Sequence, residues 1–228
     1  MFVQNRVYSL VFKNVGKEVH IADLPPAGIA LKPNSSVDLD TPFVFFQLPF
    51  IFDFNLKPKS VYGVTKLTQE QLITTGSKIP YTILRYQNVY GAGQSLNNPY
   101  TGIISIFSNI FNKGGEVTLF DNGVPSRDFI YVDDVVEATY LCINEKGNYK
   151  TYNVGIGNSL TIQEVTEKLK NLINKDCNIK ISDYHRDGDV MHAKANIKKI
   201  KKDLNWKPKI DIDNGLDRFT KWFKKEII

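Results

Sequence analysis

The sequence contains few cysteines and histidines and no long apolar run. Its 228 residues include only two cysteines, Cys142 and Cys177, and three histidines, which excludes a disulfide scaffold and a zinc-type ligand cluster. The longest apolar stretch, residues 42–54, is too short to span a bilayer and is interrupted by Gln47 and Pro49. No charged-then-apolar signal segment opens the chain. We therefore expect a soluble cytoplasmic protein with neither a metal nor a membrane partner.

The balance of charge is moderately basic. There are 29 Lys and Arg residues against 24 Asp and Glu, which gives a net charge of +5. A basic protein is a candidate for binding nucleic acid, but no aromatic-basic RNA motif is present, so we expect a solvated lysine face and no nucleic-acid partner. Much of the positive charge lies in one short region, at Lys198, Lys199, Lys201, Lys202, Lys207 and Lys209.

Helix and strand patterns alternate from residue 57 onward. The spacing of apolar residues predicts a helix over 61–75, and the β-branched run at 81–90 predicts a strand that is buried on both faces. Thr161 and Glu164 form a capping box at the start of another helix. The alternation predicts an α/β fold. Further elements are predicted as helices at 102–112, 132–144 and from about 213, and as strands at 117–120, 129–132 and 152–155.

The sequence Tyr62-Gly63-Val64-Thr65-Lys66 places a phenol and an ammonium four residues apart on the predicted helix. Residues at this spacing lie on the same helix face. A phenol with a pKa of ~10 is a poor base at neutral pH, and a neighbouring ammonium favours the phenolate. The pair could then take a proton from a sugar hydroxyl while a hydride leaves the same carbon. By itself the pattern is weak, since a surface Tyr and Lys give the same spacing.

An ordered series of motifs follows Lys66 along the chain. Together they resemble the extended short-chain dehydrogenase/reductase family, in its branch of NAD-dependent sugar-nucleotide epimerases and dehydratases. The resemblance covers about three quarters of the chain, from residue 57 to the C-terminus. The motifs are R-Y-Q-N-V-Y-G at 85–91, G-Q-S-L-N-N-P-Y at 93–100, S-R-D-F-I-Y-V-D-D-V at 126–135, Y-N-V-G at 152–155, R-D-G-D at 186–189 and L-N-W-K-P at 204–208.

The resemblance implies an α/β fold with a partial, truncated Rossmann-like parallel sheet and a smaller C-terminal α/β substrate domain. Residues 1–56 would be an atypical remnant of the dinucleotide-binding domain, and residues 57–92 a Rossmann-like part. Residues 93–228 would mainly bind the nucleotide sugar, with some elements returning to the sheet. The implied activity is that of a nucleotide-sugar 4-epimerase or dehydratase that uses NAD, and the implied oligomer is a homodimer.

The resemblance also assigns roles to single residues. Tyr62 matches the catalytic base, and Lys66 matches the lysine that holds the nicotinamide ribose and lowers the pKa of the tyrosine. Four further residues match substrate contacts: Asn88 at the diphosphate, Arg127 at the nucleotide phosphates, and Arg186 with Asp189 at a phosphate and the ribose. Guanidinium groups suit phosphate oxygens, and a carboxylate suits vicinal hydroxyls. Singly, each could be a turn former or a surface ion pair.

Other conspicuous side chains have structural interpretations. Asp133 and Asp134 are adjacent acids at a predicted helix start, which favours capping and a helix-dipole interaction over acid/base chemistry. Tyr90, Tyr131 and Trp206 are expected to be packing residues.

The N-terminal part departs from the family. The glycine-rich turn that carries the cofactor pyrophosphate is absent from the sequence, and Tyr62 comes too early for a full dinucleotide-binding domain to precede it. Residues 14–24 resemble the turn and second strand of such a domain, in which case Asp23 would hold the adenosine ribose. Ser36 lies about where the family keeps its third catalytic residue.

Three functions remain open on this basis. The chain could be an active epimerase or dehydratase, a non-catalytic nucleotide-sugar-binding remnant, or part of a split enzyme that a second chain completes. An incomplete sheet would expose the edge of the apolar strand at 81–90. The Phe-rich stretch at 43–54 could cover that edge or could itself be exposed.

Overall fold

The computed structural model describes part of the chain, and all structural statements below concern that part. It comprises residues 13–15, 18–20, 61–77, 80–96, 102–143, 149–185 and 189–227. The helices are α1 (Val61–Gly76), α2 (Ile103–Asn112), α3 (Val132–Leu141), α4 (Ile162–Ile173), α5 (Lys198–Leu204) and α6 (Ile212–Glu226), with a 3-10 turn at Asp121–Gly123. The strands are β1 (Lys13–Val15), β2 (Glu18–His20), β3 (Thr82–Tyr86), β4 (Asn88–Tyr90), β5 (Val117–Leu119), β6 (Ser126–Arg127), β7 (Phe129–Tyr131), β8 (Lys150–Val154), β9 (Leu160–Thr161) and β10 (Ile179–Ile181).

The strand predicted at 81–90 is two short strands that pair with different partners. β3 runs parallel to β8, and β4 runs parallel to β7. The change of partner falls at Gln87, whose backbone N–H donates to Val154 O, while the N–H of Asn88 donates to Asp128 O, both at 2.9 Å. Parallel pairs joined through helices confirm the predicted α/β class.

Three further strand pairs complete the described sheets. β5 pairs in parallel with β10, and β6 pairs antiparallel with β9. β1 and β2 form an antiparallel pair in which Lys13 is the register partner of His20. This pair differs from the turn and single strand predicted for 14–24, because residues 13–15 are also a strand.

Two apolar clusters lie in the described part of the chain. One joins the β3–β8 pair to α3 and α5, and includes Leu84, Ile130, Val135, Tyr152, Ile200 and Trp206. The other lies among α2, α4, α6 and β5, and includes Tyr90, Phe111, Leu119, Leu169, Leu216 and Phe219. The predicted domain boundaries at 56/57 and 92/93 stay predictions.

Asp134 corrects the capping interpretation. It lies in the first turn of α3, but no side chain caps that helix. Its buried carboxylate instead accepts hydrogen bonds from the backbone N–H groups of Lys209 and Ile210, both at 3.0 Å. The indole of Trp206 donates to the Asp134 carbonyl. Asp134 therefore fixes the segment between α5 and α6. The sequence does not predict this long-range role, because two adjacent acids at a helix start are typical of capping.

The apolar side chains of the strand predicted at 81–90 are buried, as expected of a strand with two buried faces, and its exposed edge stays a prediction. Ile83 and Leu84 have no exposed surface, and Tyr86 and Tyr90 are 2% exposed. The expected cover at 43–54 lies outside the described residues. In the described part of the chain, no helix is long and apolar enough to cross a membrane.

Candidate active site

Tyr62 and Lys66 lie together at the start of α1. The Lys66 Nζ is 5.6 Å from the centroid of the Tyr62 ring, as the spacing of four residues predicts. Both side chains are partly buried. The helix therefore presents a phenol and an ammonium side by side.

Burial dominates the protonation of this pair. It raises the pKa of the Tyr62 phenol above its ordinary value and lowers the pKa of the Lys66 ammonium. Both shifts disfavour the charged forms. The expected lowering of the Tyr62 pKa by Lys66 is thus not the net result in the free protein, because desolvation outweighs the nearby cation.

α1 is held against the sheet by a buried ion pair. Glu70 lies one turn beyond Lys66 on the same face, and its carboxylate accepts two hydrogen bonds from Arg85 of β3, at 2.8 and 2.7 Å. Their side chains are only 7% and 13% exposed, respectively. A bidentate guanidinium–carboxylate pair fixes direction as well as distance. The pair therefore sets the position of the Tyr62–Lys66 face relative to β3.

Arg127 and Asp189 come together although 62 residues separate them in sequence. The Arg127 Nη2 donates to Asp189 Oδ1 at 2.7 Å, and Nη1 donates to the carbonyls of Ser126 and Met191. Burial lowers the pKa of the guanidinium, and the Asp189 carboxylate opposes that shift. The Asp189 carboxylate and two backbone carbonyls thus hold Arg127 in place.

Asn88 is placed next to this pair through the backbone. Its N–H donates to the carbonyl of Asp128, the residue that follows Arg127. The Asp128 carboxylate has no exposed surface and accepts from the N–H groups of Ile156, Gly157 and Ala195, at 2.7, 2.9 and 3.1 Å. Burial raises the pKa of this carboxyl, while the three N–H groups act in the opposite direction.

Three of the predicted site residues, Asp23, Ser36 and Arg186, lie outside the described residues. Their predicted roles stay predictions. Across the described residues, no group of three His, Cys, Asp or Glu side chains could hold a metal ion.

Known proteins match this chain in sequence and in fold. Residues 47–155 match the family model of the NAD dependent epimerase/dehydratase family. The chain is similar to this family over these residues. The dTDP-L-rhamnose 4-epimerase of Burkholderia thailandensis is 34% identical over 175 residues, which are 75% of this chain and 48% of that enzyme. The chain spans about half the length of the curated relatives it matches.

Solved structures show the same fold. The UDP-glucose 4-epimerase of Thermotoga maritima, solved with UDP-glucose, has a TM-score of 0.68 and 29% identity, and the match covers 82% of this chain and 64% of that one. MoeE5 in complex with UDP-glucose and NAD has a TM-score of 0.67 and 26% identity, covering 77% and 60% of the two chains. The Rossmann-like architecture predicted from the motifs is therefore confirmed as a partial match.

Sequence reasoning missed two contacts that position the site. Glu70 follows Lys66 by four residues, so the sequence alone could have placed it on the same helix face. Nothing in the sequence indicates that it pairs with Arg85. Asp128 stands inside the motif at 126–135, yet its partners Ile156 and Ala195 are 28 and 67 residues away.

Proposed function

We propose that this chain carries the catalytic pair and the nucleotide-sugar site of an NAD-dependent nucleotide-sugar 4-epimerase or dehydratase. The observation that carries the proposal is the Tyr62–Lys66 pair on a helix that Glu70 and Arg85 fix to β3. Along the chain, β3 leads directly through Gln87 to Asn88. A proton-transfer pair and a set of polar nucleotide contacts are thus joined by rigid elements.

Tyr62 acts as the base in this proposal. Its phenolate takes the proton from the sugar 4-hydroxyl, and it returns that proton when the 4-keto sugar is reduced. When bound, NAD would supply the hydride acceptor and donor for the sugar C4. Lys66 would hold a ribose hydroxyl of the cofactor with its ammonium.

The described residues fit the nicotinamide ribose end of NAD. The ammonium of Lys66 and the hydroxyl of Tyr62 are hydrogen-bond donors on one helix face. Together they can donate to two ribose hydroxyls and to the reacting oxygen of the sugar. We keep Asp23 as the proposed contact of the adenosine ribose and Ser36 as the proposed third catalytic residue.

The other end of the site suits a nucleotide diphosphate. Arg127 supplies a fixed guanidinium for the phosphates, and Asn88 supplies an amide for the diphosphate. Asp189 holds Arg127 and has 38% of its side chain exposed, so its carboxylate can also meet the ribose hydroxyls. Arg186 is the proposed second cation.

The exposed face of α1 supports a homodimer. Three apolar side chains on this face are largely exposed: Val61 by 82%, Val64 by 51% and Leu72 by 67%. No charged residue of α1 lies among them. Such a stripe can pack against its copy from a second chain. In sedimentation velocity, Leu72→Glu would convert a dimer to a monomer, and a wild-type monomer would contradict the homodimer.

The non-catalytic alternative is favoured by one observation. The pKa of Tyr62 is raised in the free protein, so the phenol is a weak base unless a bound cation offsets the burial. A chain that binds a nucleotide sugar but not NAD would be the binding remnant. A chain that binds neither until a second polypeptide is added would be part of a split enzyme.

Turnover distinguishes these functions. The purified chain would be incubated with NAD and UDP-, dTDP- or GDP-sugars, and the products separated by anion-exchange chromatography. We expect conversion that Tyr62→Phe abolishes and that Tyr140→Phe, at an exposed tyrosine of α3, leaves unchanged. If no sugar nucleotide is converted or reduced, the chain alone is not the proposed enzyme.

A further inference from the structure

The carboxylate of Asp128 joins two loops that are distant in sequence. Its Oδ1 accepts from Ile156 N, and its Oδ2 accepts from Gly157 N and Ala195 N. The first two donors lie in the turn after β8, and the third lies in the segment before α5. One buried side chain therefore satisfies three backbone N–H groups from two loops.

The same residue is flanked by the proposed substrate contacts. Arg127 precedes it in the chain, and the carbonyl of Asp128 accepts from the N–H of Asn88. The segment from Met191 to Ala195 is tied to Arg127 at one end, through the Met191 carbonyl, and to Asp128 at the other. Asp128 is therefore bonded to the strand that carries Asn88 and to the segment whose Met191 carbonyl holds Arg127.

Gly155 shows how closely the carboxylate is packed. A Cβ at this position would come within 2.7 Å of Asp128 Oδ2, 2.7 Å of Ala195 Cβ and 2.8 Å of Gln87 Cγ. The turn that carries the donors therefore needs a glycine here.

We propose that Asp128 is a positioning residue that holds Arg127 and Asn88 in the geometry that binds the nucleotide diphosphate. This inference rests on the proposed function, because it concerns the same site. It adds a residue that touches no substrate and acts only through its neighbours.

Asp134 provides a matched control. It is also buried, and its two carboxylate oxygens also accept backbone N–H groups from a distant segment. It supports the loop before α6, which carries none of the proposed substrate contacts. Replacing either aspartate by asparagine turns an acceptor oxygen into a donor that faces an N–H group, so the two variants carry a similar structural cost.

The test compares the nucleotide affinities of two variants that are expected to lose similar amounts of stability. UDP and dTDP would be titrated into wild type, Asp128→Asn and Asp134→Asn by calorimetry, with melting temperatures measured alongside. We expect both variants to melt lower, Asp128→Asn to bind at least tenfold more weakly, and Asp134→Asn to bind within twofold of wild type. Equal affinities for the two variants, whether weakened or unchanged, would overturn the positioning role.

A measurement on the wild-type chain keeps the proposal testable if Asp128→Asn does not fold. Saturation with UDP or dTDP should slow hydrogen exchange at the Ile156, Gly157 and Ala195 amides more than at Lys209 and Ile210, because a ligand opposes opening of the loops that its site needs. Uniform slowing at all five amides would contradict the proposal. A folded wild-type chain that binds neither nucleotide would instead overturn the proposed function, and this inference with it.

Discussion

Arg85 donates two hydrogen bonds to the carboxylate of Glu70 across the interface between β3 and α1, and both side chains are largely buried. The pair connects the helix that carries Tyr62 and Lys66 to the strand that leads to Asn88. It is the direct structural link between the proposed catalytic pair and the proposed substrate site.

Removing the guanidinium should destabilise the protein strongly. Arg85→Met leaves the Glu70 carboxylate buried without its partner, which costs roughly 3–5 kcal/mol. Lys221→Met removes the cation of an exposed pair with Asp217 and should cost less than about 1 kcal/mol. Urea unfolding measures both values. Similar values for the two variants would show that the Glu70–Arg85 pair does not anchor α1.

Gly215 of α6 is expected to resist substitution. A Cβ at this position would collide with the hydroxyl of Tyr90 and lie 2.9 Å from its Cζ. Gly215→Ala should therefore cost about 1–3 kcal/mol through overpacking, although alanine favours a helix interior. Gly76→Ala, where nothing lies within 4 Å, is the control and should be neutral or stabilising.

The double variant Gly215→Ala with Tyr90→Phe tests the cause. Removing the hydroxyl relieves the closest contact, so the two changes should cost less together than the sum of their separate effects in urea unfolding. Strict additivity would place the strain elsewhere.

The capping box of α4 should make stability depend on acid pH. Thr161 and Glu164 bond reciprocally, and these bonds hold the pKa of Glu164 below its ordinary value. A lowered folded-state pKa means that the contribution is present at neutral pH and is lost as pH falls through the acidic range.

Glu164→Gln should therefore lower stability more at pH 7 than at pH 3, while Thr161→Ala should cost about 1 kcal/mol at pH 7. Thr161→Ser, which keeps the hydroxyl, is the control and should change little. Unfolding by urea at the two pH values gives the comparison. A Glu164→Gln effect that is the same at both would contradict the assignment.

The titration of Tyr62 tests the electrostatics of the candidate active site. Burial raises the pKa of the Tyr62 phenol. In protein labelled with ¹³C at the tyrosine Cζ, the Cζ chemical shift of Tyr62 should therefore keep the value of a neutral phenol through pH 10 when no NAD is present. Tyr62→Phe assigns the resonance. Added NAD should move the titration downward if the cofactor places positive charge beside the ring. Ionisation of Tyr62 below pH 10 without NAD would contradict the described burial.

The local elements of the fold were predictable from the sequence, and the cross-chain contacts were not. The helix at 61–75 and the capping box follow from spacing alone, since residues three and four apart share a face. The roles of Asp134 and Asp128 depend on partners tens of residues away. At α5 the sequence predicts a solvated lysine face and no helix, because its two buried residues, Ile200 and Leu204, give little periodicity in a seven-residue helix.

The candidate site was predictable only through the family motifs. The spacing predicts that Tyr62 lies beside Lys66, and a neighbouring lysine predicts a lowered pKa for the Tyr62 phenol. The burial that raises this pKa instead is a property of the folded chain and cannot be predicted from the spacing. Arg127 and Asp189 were both predicted as substrate contacts, and their contact with each other appears only in the structure.

The measurement that tests the account most directly is a calorimetric titration of the folded chain with UDP-glucose and dTDP-glucose. We predict micromolar or tighter binding of at least one of them, and at least a tenfold loss in Arg127→Leu but not in Lys221→Met. A folded chain that binds neither sugar nucleotide, or an Arg127→Leu variant that binds as well as wild type, would contradict the nucleotide-sugar site.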